Sequence, residues 1–240
     1  MTRPDTDPSR IDAATPGAID HARRCRTVHA DRAPGLIPDA LRTTILITLL
    51  LSSTVSMAQT QALLLDDFSS ADGVSTLGTR WQGFTDRVMG GLSEMKTAYV
   101  DTEKGKALRM SGPVRLENNG GFIQVRLPLG SDGETLDAGR FDAVAVTLRG
   151  EPGAYFVHLR TPDARRPWQY YRAEIAVSTR WARQVIALSQ FEGKSISRPL
   201  DTGRLSSIAI VAYGQTFDAL VEINRLELVS DPGQRHSADP

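Results

Sequence analysis

Between residues 62 and 230 the chain falls into short apolar or alternating runs, separated by Gly, Pro, Asp and Asn. Such runs predict strands over 63–68, 80–84, 95–100, 107–111, 122–127, 143–149, 155–160, 171–177, 183–188, 207–213 and 220–229. Turn signals stand at Asp72-Gly73, Gly130-Ser131-Asp132-Gly133, Glu151-Pro152-Gly153 and Glu192-Gly193. Several runs alternate with a period of two: Val144, Val146 and Leu148 share one face, and so do Tyr171, Ala173, Ile175 and Val177. One face of each sheet is then core and the other wet, with Tyr170 pointing opposite to Tyr171. Many short strands without a helical period between them predict an all-β sandwich or barrel.

The N-terminal quarter has a different character. Residues 1–40 are rich in Pro, Asp, Arg and Ala without hydrophobic period, and read as a disordered extension. Arg42-Thr43-Thr44 then leads into Ile45-Leu46-Ile47-Thr48-Leu49-Leu50-Leu51, and Ser56-Met57-Ala58 sets small residues before a cleavage point at Gln59. A basic flank, a short apolar stretch and a small-x-small end describe a signal peptide over 41–58; a buried helix or an uncleaved anchor is the competing reading. The long upstream region fits a misassigned start, with Leu41 encoded by an alternative start codon. Because the segment lacks the arginine-rich amphipathic pattern of an organelle presequence, the expectation is export, to a bacterial periplasm, with no membrane span left after cleavage. Residues 231–240 read as a disordered tail.

The 240 residues carry 28 basic and 28 acidic side chains. Seven of the basic and six of the acidic ones precede Gln59, leaving 21 and 22, a formal charge of −1. Without a basic excess or stripe to neutralise phosphates, nucleic acid is disfavoured as a partner. Cys25, the single cysteine, would leave with the leader, so the domain has neither disulfide nor thiolate chemistry. What remains, 62–230, has the length of one domain.

Two double-glycine sequences stand out from this background. One is Asp86-Arg87-Val88-Met89-Gly90-Gly91-Leu92-Ser93, shortly after Trp81; the other is Glu117-Asn118-Asn119-Gly120-Gly121-Phe122, running into the strand that bears Arg126. Together they resemble the complex I intermediate-associated protein family, a likeness that extends over 62–230 through Trp181-Ala182-Arg183-Gln184-Val185-Ile186, Ile208-Ala209-Ile210 and Ile223-Asn224-Arg225-Leu226. The resemblance implies a galactose-binding-like, two-sheet antiparallel jelly-roll sandwich serving binding or assembly, without a catalytic constellation. The family's founding role in respiratory complex I assembly conflicts with an exported address.

Read from the residues themselves, Gly90 and Gly91 make a tight turn or bulge, Met89 fills the core, and Asp86 bonds local amides or presents itself to a ligand. Arg87 is the more open candidate, since turn geometry does not require a guanidinium. Glu117, Asn118 and Asn119 offer oxygens that suit Ca²⁺, but too few for its six to eight ligands. A loop in which Asn119-Gly120 supplies left-handed residues is preferred. Trp81, Gly120, Gly121 and Phe122 are read as structural members of the motif.

Arg165-Arg166-Pro167-Trp168-Gln169-Tyr170-Tyr171 combines arginine forks with flat rings, which is the equipment of a carbohydrate-binding face. Arg165, Trp168 and Tyr170 are its candidates. His158 shares a strand face with Phe156 and Arg160, and no second histidine is placed to make a metal site with it; a satisfied structural role is expected. No Gly-x-Ser-x-Gly elbow, Walker loop or dinucleotide fingerprint occurs. The sequence therefore predicts a non-enzymatic binding domain with no cofactor or metal. A protein partner, as for an assembly or scaffolding factor docking through the loop end around Arg87, Glu117, Asn118 and Asn119, stands first, and an exported carbohydrate-binding module is the alternative.

Overall fold

The computed structural model describes residues 61–70 and 72–230; the expected extension (1–40), signal segment (41–58) and tail (231–240) lie outside the described residues. Among the described residues twelve strands follow one another: β1 (Ala62–Asp66), β2 (Gln82–Thr85), β3 (Lys96–Thr102), β4 (Gly105–Val114), β5 (Phe122–Pro128) and β6 (Ala143–Gly150), then β7 (Tyr155–Arg160), β8 (Tyr170–Ile175), β9 (Ala182–Ala187), β10 (Glu192–Lys194), β11 (Ser207–Tyr213) and β12 (Phe217–Val229). Among the described residues no helix is long and apolar enough to cross a membrane. All eleven predicted strands appear. The additional one, β10, occupies the Glu192-Gly193 turn signal and pairs with β8 through three residues.

The strands form two antiparallel sheets. The first runs β3-β4-β12-β6-β9, with β1 also paired to β12; the second runs β10-β8-β7-β11-β5-β2. Period-two alternation fills the space between them. In the second sheet Ile123, Val125 and Leu127 of β5, Ile208 and Ile210 of β11, and Val157 and Leu159 of β7 are buried. They meet Leu108 and Met110 of β4, Val144, Val146 and Leu148 of β6, and Val221, Ile223, Leu226 and Leu228 of β12 in one core. Tyr171 is buried and Tyr170 faces outward, as the alternation predicts.

β12 changes phase midway: Val221 and Ile223 are inward, then Leu226 and Leu228. A register shift between Ile223 and Arg225 accommodates the odd residue, and Asn224 Nδ2 donates to the carbonyls of Lys104 and Lys106, both at 3.0 Å. This bulge lets one strand pair with β4 along its first half and β1 along its second while keeping a single apolar face. Near the N-terminus Trp81 Nε1 donates to Asp66 Oδ2 at 2.7 Å, and its ring lies 5.7 Å from that of Phe68. The structural role expected for Trp81 thus takes the form of a clasp between β1 and β2.

Candidate ligand-binding groove

The two double-glycine sequences meet at one carboxylate. β2 ends at Thr85, whose hydroxyl accepts from the Arg87 amide and starts a single 3-10 turn, Asp86–Met89, closed by Gly90 at φ 90°. Asp86 takes the inward position of that turn and is fully buried. It accepts from Ser93 N at 2.9 Å, from the Ser93 hydroxyl, from Gly121 N at 2.6 Å and from Phe122 N at 3.2 Å. Burial alone would raise its pKa, but these donors outweigh it and hold the carboxyl below its ordinary value. The ligand-facing role considered for Asp86 is therefore replaced by a structural one: its acceptor sites are spent on backbone and on Ser93.

The glycines leave the room this requires. A Cβ on Gly91 would sit 2.3 Å from Asp86 Cγ, and one on Gly120 would sit 2.7 Å from Asp86 Oδ2. The expected left-handed pair Asn119-Gly120 is corrected, since Asn118 (φ 55°) and Gly121 (φ 128°) take that conformation and Gly120 is at φ −75°. Gly120 is needed for space, not for φ. The loop passes from β4 in one sheet to β5 in the other.

With Asp86 inside, the rest of the turn faces out. Val88 and Met89 are exposed, so Met89 does not fill the core as expected; it forms part of the wall of a groove on the outer face of the second sheet. The groove has a volume of about 440 Å³. Its depth comes from β11, which presents Ser207, Ala209 and Val211 outward between longer neighbours. Register sets Arg126 and His158 on either side of Ala209, with Gln124 and Phe156 on either side of Val211. Phe84, Val88 and Met89 form one wall; Arg165, Pro167, Trp168 and Tyr170 form the other.

Each polar group on this surface has a definable setting. Arg126 Cζ lies 4.1 Å above the Phe84 ring, and burial lowers its pKa. His158 stacks on Tyr170 at 4.0 Å and 11°. Its pKa falls to about 3, through burial and then the nearby Arg172 and Arg160, so the ring is neutral at physiological pH. Among the described residues its Nε2 has no hydrogen-bond partner, which corrects the expected satisfied role. Tyr170 is pushed up to about 12 by burial, with Tyr213 beside it contributing. Arg160 donates to the carbonyls of Ala164, Arg166 and Pro167 and thereby shapes the loop that holds Trp168 at 56% exposure.

Of the sequence-predicted site residues, Arg165, Trp168 and Tyr170 come together in the groove, with Phe122 at its edge. Arg87 does not join them; it is exposed and pairs with Glu94 at 2.9 Å. Glu117 and Asn118 are exposed on the β4–β5 loop, which also contains Asn119, and neither Glu117 nor Asn118 lines the groove. Sequence reasoning passed over Phe84, Gln124, Arg126, Arg160 and Tyr213. Alternation places Gln124 and Arg126 opposite the core residues of β5, but only strand order brings β2, β5, β11, β7 and β8 side by side.

The model of the complex I intermediate-associated protein 30 (CIA30) family matches residues 67–219. The chain belongs to the CIA30 family. The matched span contains both double-glycine corners and every residue of the groove, from Phe84 to Tyr213. No curated protein matches this CIA30 chain. Among solved structures, it is similar to the family 11 carbohydrate-binding module of the cellulosomal cellulase Lic26A-Cel5E of Clostridium thermocellum, at 15% identity and a TM-score of 0.55, covering 71% of this chain and 95% of that one. It is also similar to the family 11 module from Clostridium thermocellum in complex with a β-1,3-1,4-mixed-linked tetrasaccharide, at 15% identity and a TM-score of 0.54, covering 70% and 95%. At that identity the likeness is one of fold: the CIA30 domain is a galactose-binding-like jelly-roll sandwich.

Proposed function

We propose that this CIA30 chain is a non-enzymatic binding domain whose ligand, a glycan chain, lies in the groove across β2, β5, β11, β7 and β8. The observation that carries this reading is Trp168, a large ring held out at 56% exposure on the groove wall by a loop that Arg160 ties down. An exposed indole beside Tyr170, above a floor with Gln124 and Arg126, supplies flat apolar faces for sugar rings and forked donors for their oxygens. The structural similarity to a module in complex with a tetrasaccharide supports the same choice of ligand class. The leader over 41–58 adds export to this reading, and a mature N-terminus at Gln59 is its expected mark. Affinity electrophoresis against a glycan panel tests the ligand. Trp168→Ala is expected to release any retained glycan with the fold intact, and a panel that retards neither protein would overturn the proposal.

A second reading, a protein-docking assembly factor, rests on family membership and on the exposed apolar group Val88, Met89 and Leu92, which runs from the groove wall outward. A pull-down from envelope extracts separates the two. A partner lost with Val88→Ser/Met89→Ser but kept with Trp168→Ala favours assembly.

A further inference from the structure

Arginines in this domain divide by location. On the outer face of the first sheet Arg109 and Arg149 converge on Glu222, and Arg183 and Arg225 converge on Glu227. Around the groove the pairing stops. Arg126 sits on the Phe84 ring, Arg160 is spent on backbone carbonyls and Arg165 is exposed; among the described residues none of the three has a carboxylate within ion-pair distance. Among the described residues no Asp or Glu lines the groove. The nearest carboxylates by register belong to Glu174, opposite Phe156, and to Glu192, opposite Arg172; Glu192 is engaged by Lys194.

A partly buried guanidinium without an anion is costly, and a sequence whose domain is close to neutral has carboxylates to spare for it. A groove of one sign within low-dielectric walls also concentrates ligand of the opposite sign. We infer that the groove selects an acidic glycan, one whose sugars carry carboxylate or sulfate groups, with Arg126 as the fork at the floor and Arg165 as the second cation at the rim. The inference rests on the glycan reading above and narrows it. Rings cover the sugar faces while the planar guanidinium of Arg126 takes two oxygens of one anionic group.

Calorimetric titration of the domain tests this with three probes of equal length: an oligogalacturonate, a sulfated galactose oligosaccharide and a neutral mixed-linked glucan. One or both anionic probes are expected to bind at least about tenfold more tightly than the neutral one, with affinity falling as salt rises; which of them leads identifies the anionic group. Arg126→Gln is expected to erase most of that preference and Arg126→Lys to restore part of it, with thermal melting reporting the fold. If Arg126→Gln does not fold, the exposed Arg165→Gln carries the same comparison. A neutral glucan bound as tightly as the better of the two anionic probes overturns the inference and leaves the glycan reading standing. Binding of none of the three overturns both. A polyglutamate peptide that competes as well as the best glycan, or a preference unchanged in both arginine variants, also overturns it.

Discussion

Asp86 Oδ2 accepts from Gly121 N at 2.6 Å across 35 residues of sequence, and this bond joins the turn after β2 to the loop before β5. Because Ser93 and Phe122 also donate to Asp86, one buried carboxylate fixes the corner from which Val88 and Met89 are presented.

Removal of that carboxylate should therefore cost stability. Asp86→Ala leaves several buried N–H groups unpaired and is expected to lose ~3 kcal/mol or more in urea unfolding. The folded pKa is held below the ordinary 3.8, so the stabilisation is fully present above that value and is lost as pH falls through the folded pKa. Asp86→Asn should flatten this acid limb below about pH 3.8; an unchanged limb would count against the role assigned here.

Glycine is required at the corner for space. Gly91→Ala and Gly120→Ala each push a methyl into Asp86 or its surroundings and are expected to destabilise by roughly 1–3 kcal/mol. Gly78→Ala is a useful contrast, since its Cβ meets nothing within 4 Å and its cost comes from φ 78° alone. Denaturant midpoints of the three variants decide the comparison.

His158 makes a different pH prediction. Its folded pKa of about 3 lies below the ordinary 6.5, because burial and then Arg172 and Arg160 disfavour the cation. The unfolded chain takes up the proton first, so stability is fully present above about pH 6.5 and falls as pH drops from there toward 3. By pH 5 the loss is on the order of 2 kcal/mol. His158→Gln should remove the dependence between pH 6.5 and 5, where the carboxylates contribute little, and unfolding curves at those two pH values measure it.

Across the sandwich, Glu222 accepts from Arg109 Nε at 2.8 Å and Arg149 Nε at 2.7 Å. Burial would raise its pKa, yet the two guanidinium groups hold it below the ordinary range. Glu222→Ala sets two arginines against one another and is expected to cost ~2 kcal/mol, discounted for their partial exposure. Because the first sheet is remote from the groove by topology, glycan affinity should not change.

Tethering of the loop can be tested apart from its ring. Arg160→Met removes the donors to three carbonyls and should weaken ligand binding severalfold through a mobile Trp168, while Trp168→Ala should weaken it at least about tenfold. Amide exchange over 161–169 rising in the first variant only would separate positioning from contact.

By itself the sequence determined the all-β class, the run of strands and their buried faces, because alternation and turn residues are local signals; it also marked the 165–171 segment, since a cluster of rings next to arginines is legible from composition. Why Gly90-Gly91 and Gly120-Gly121 both occur was decided by tertiary structure, for their common reason, Asp86, joins segments far apart in the chain. Met89 was assigned inward because an apolar residue beside a turn carries no mark of which side it faces; burial of Asp86 reversed it. Arg126, His158 and Trp168 became one surface only when β11 placed Ala209 between the first two, and long-range strand pairing of that kind leaves no imprint on the residues nearest to it.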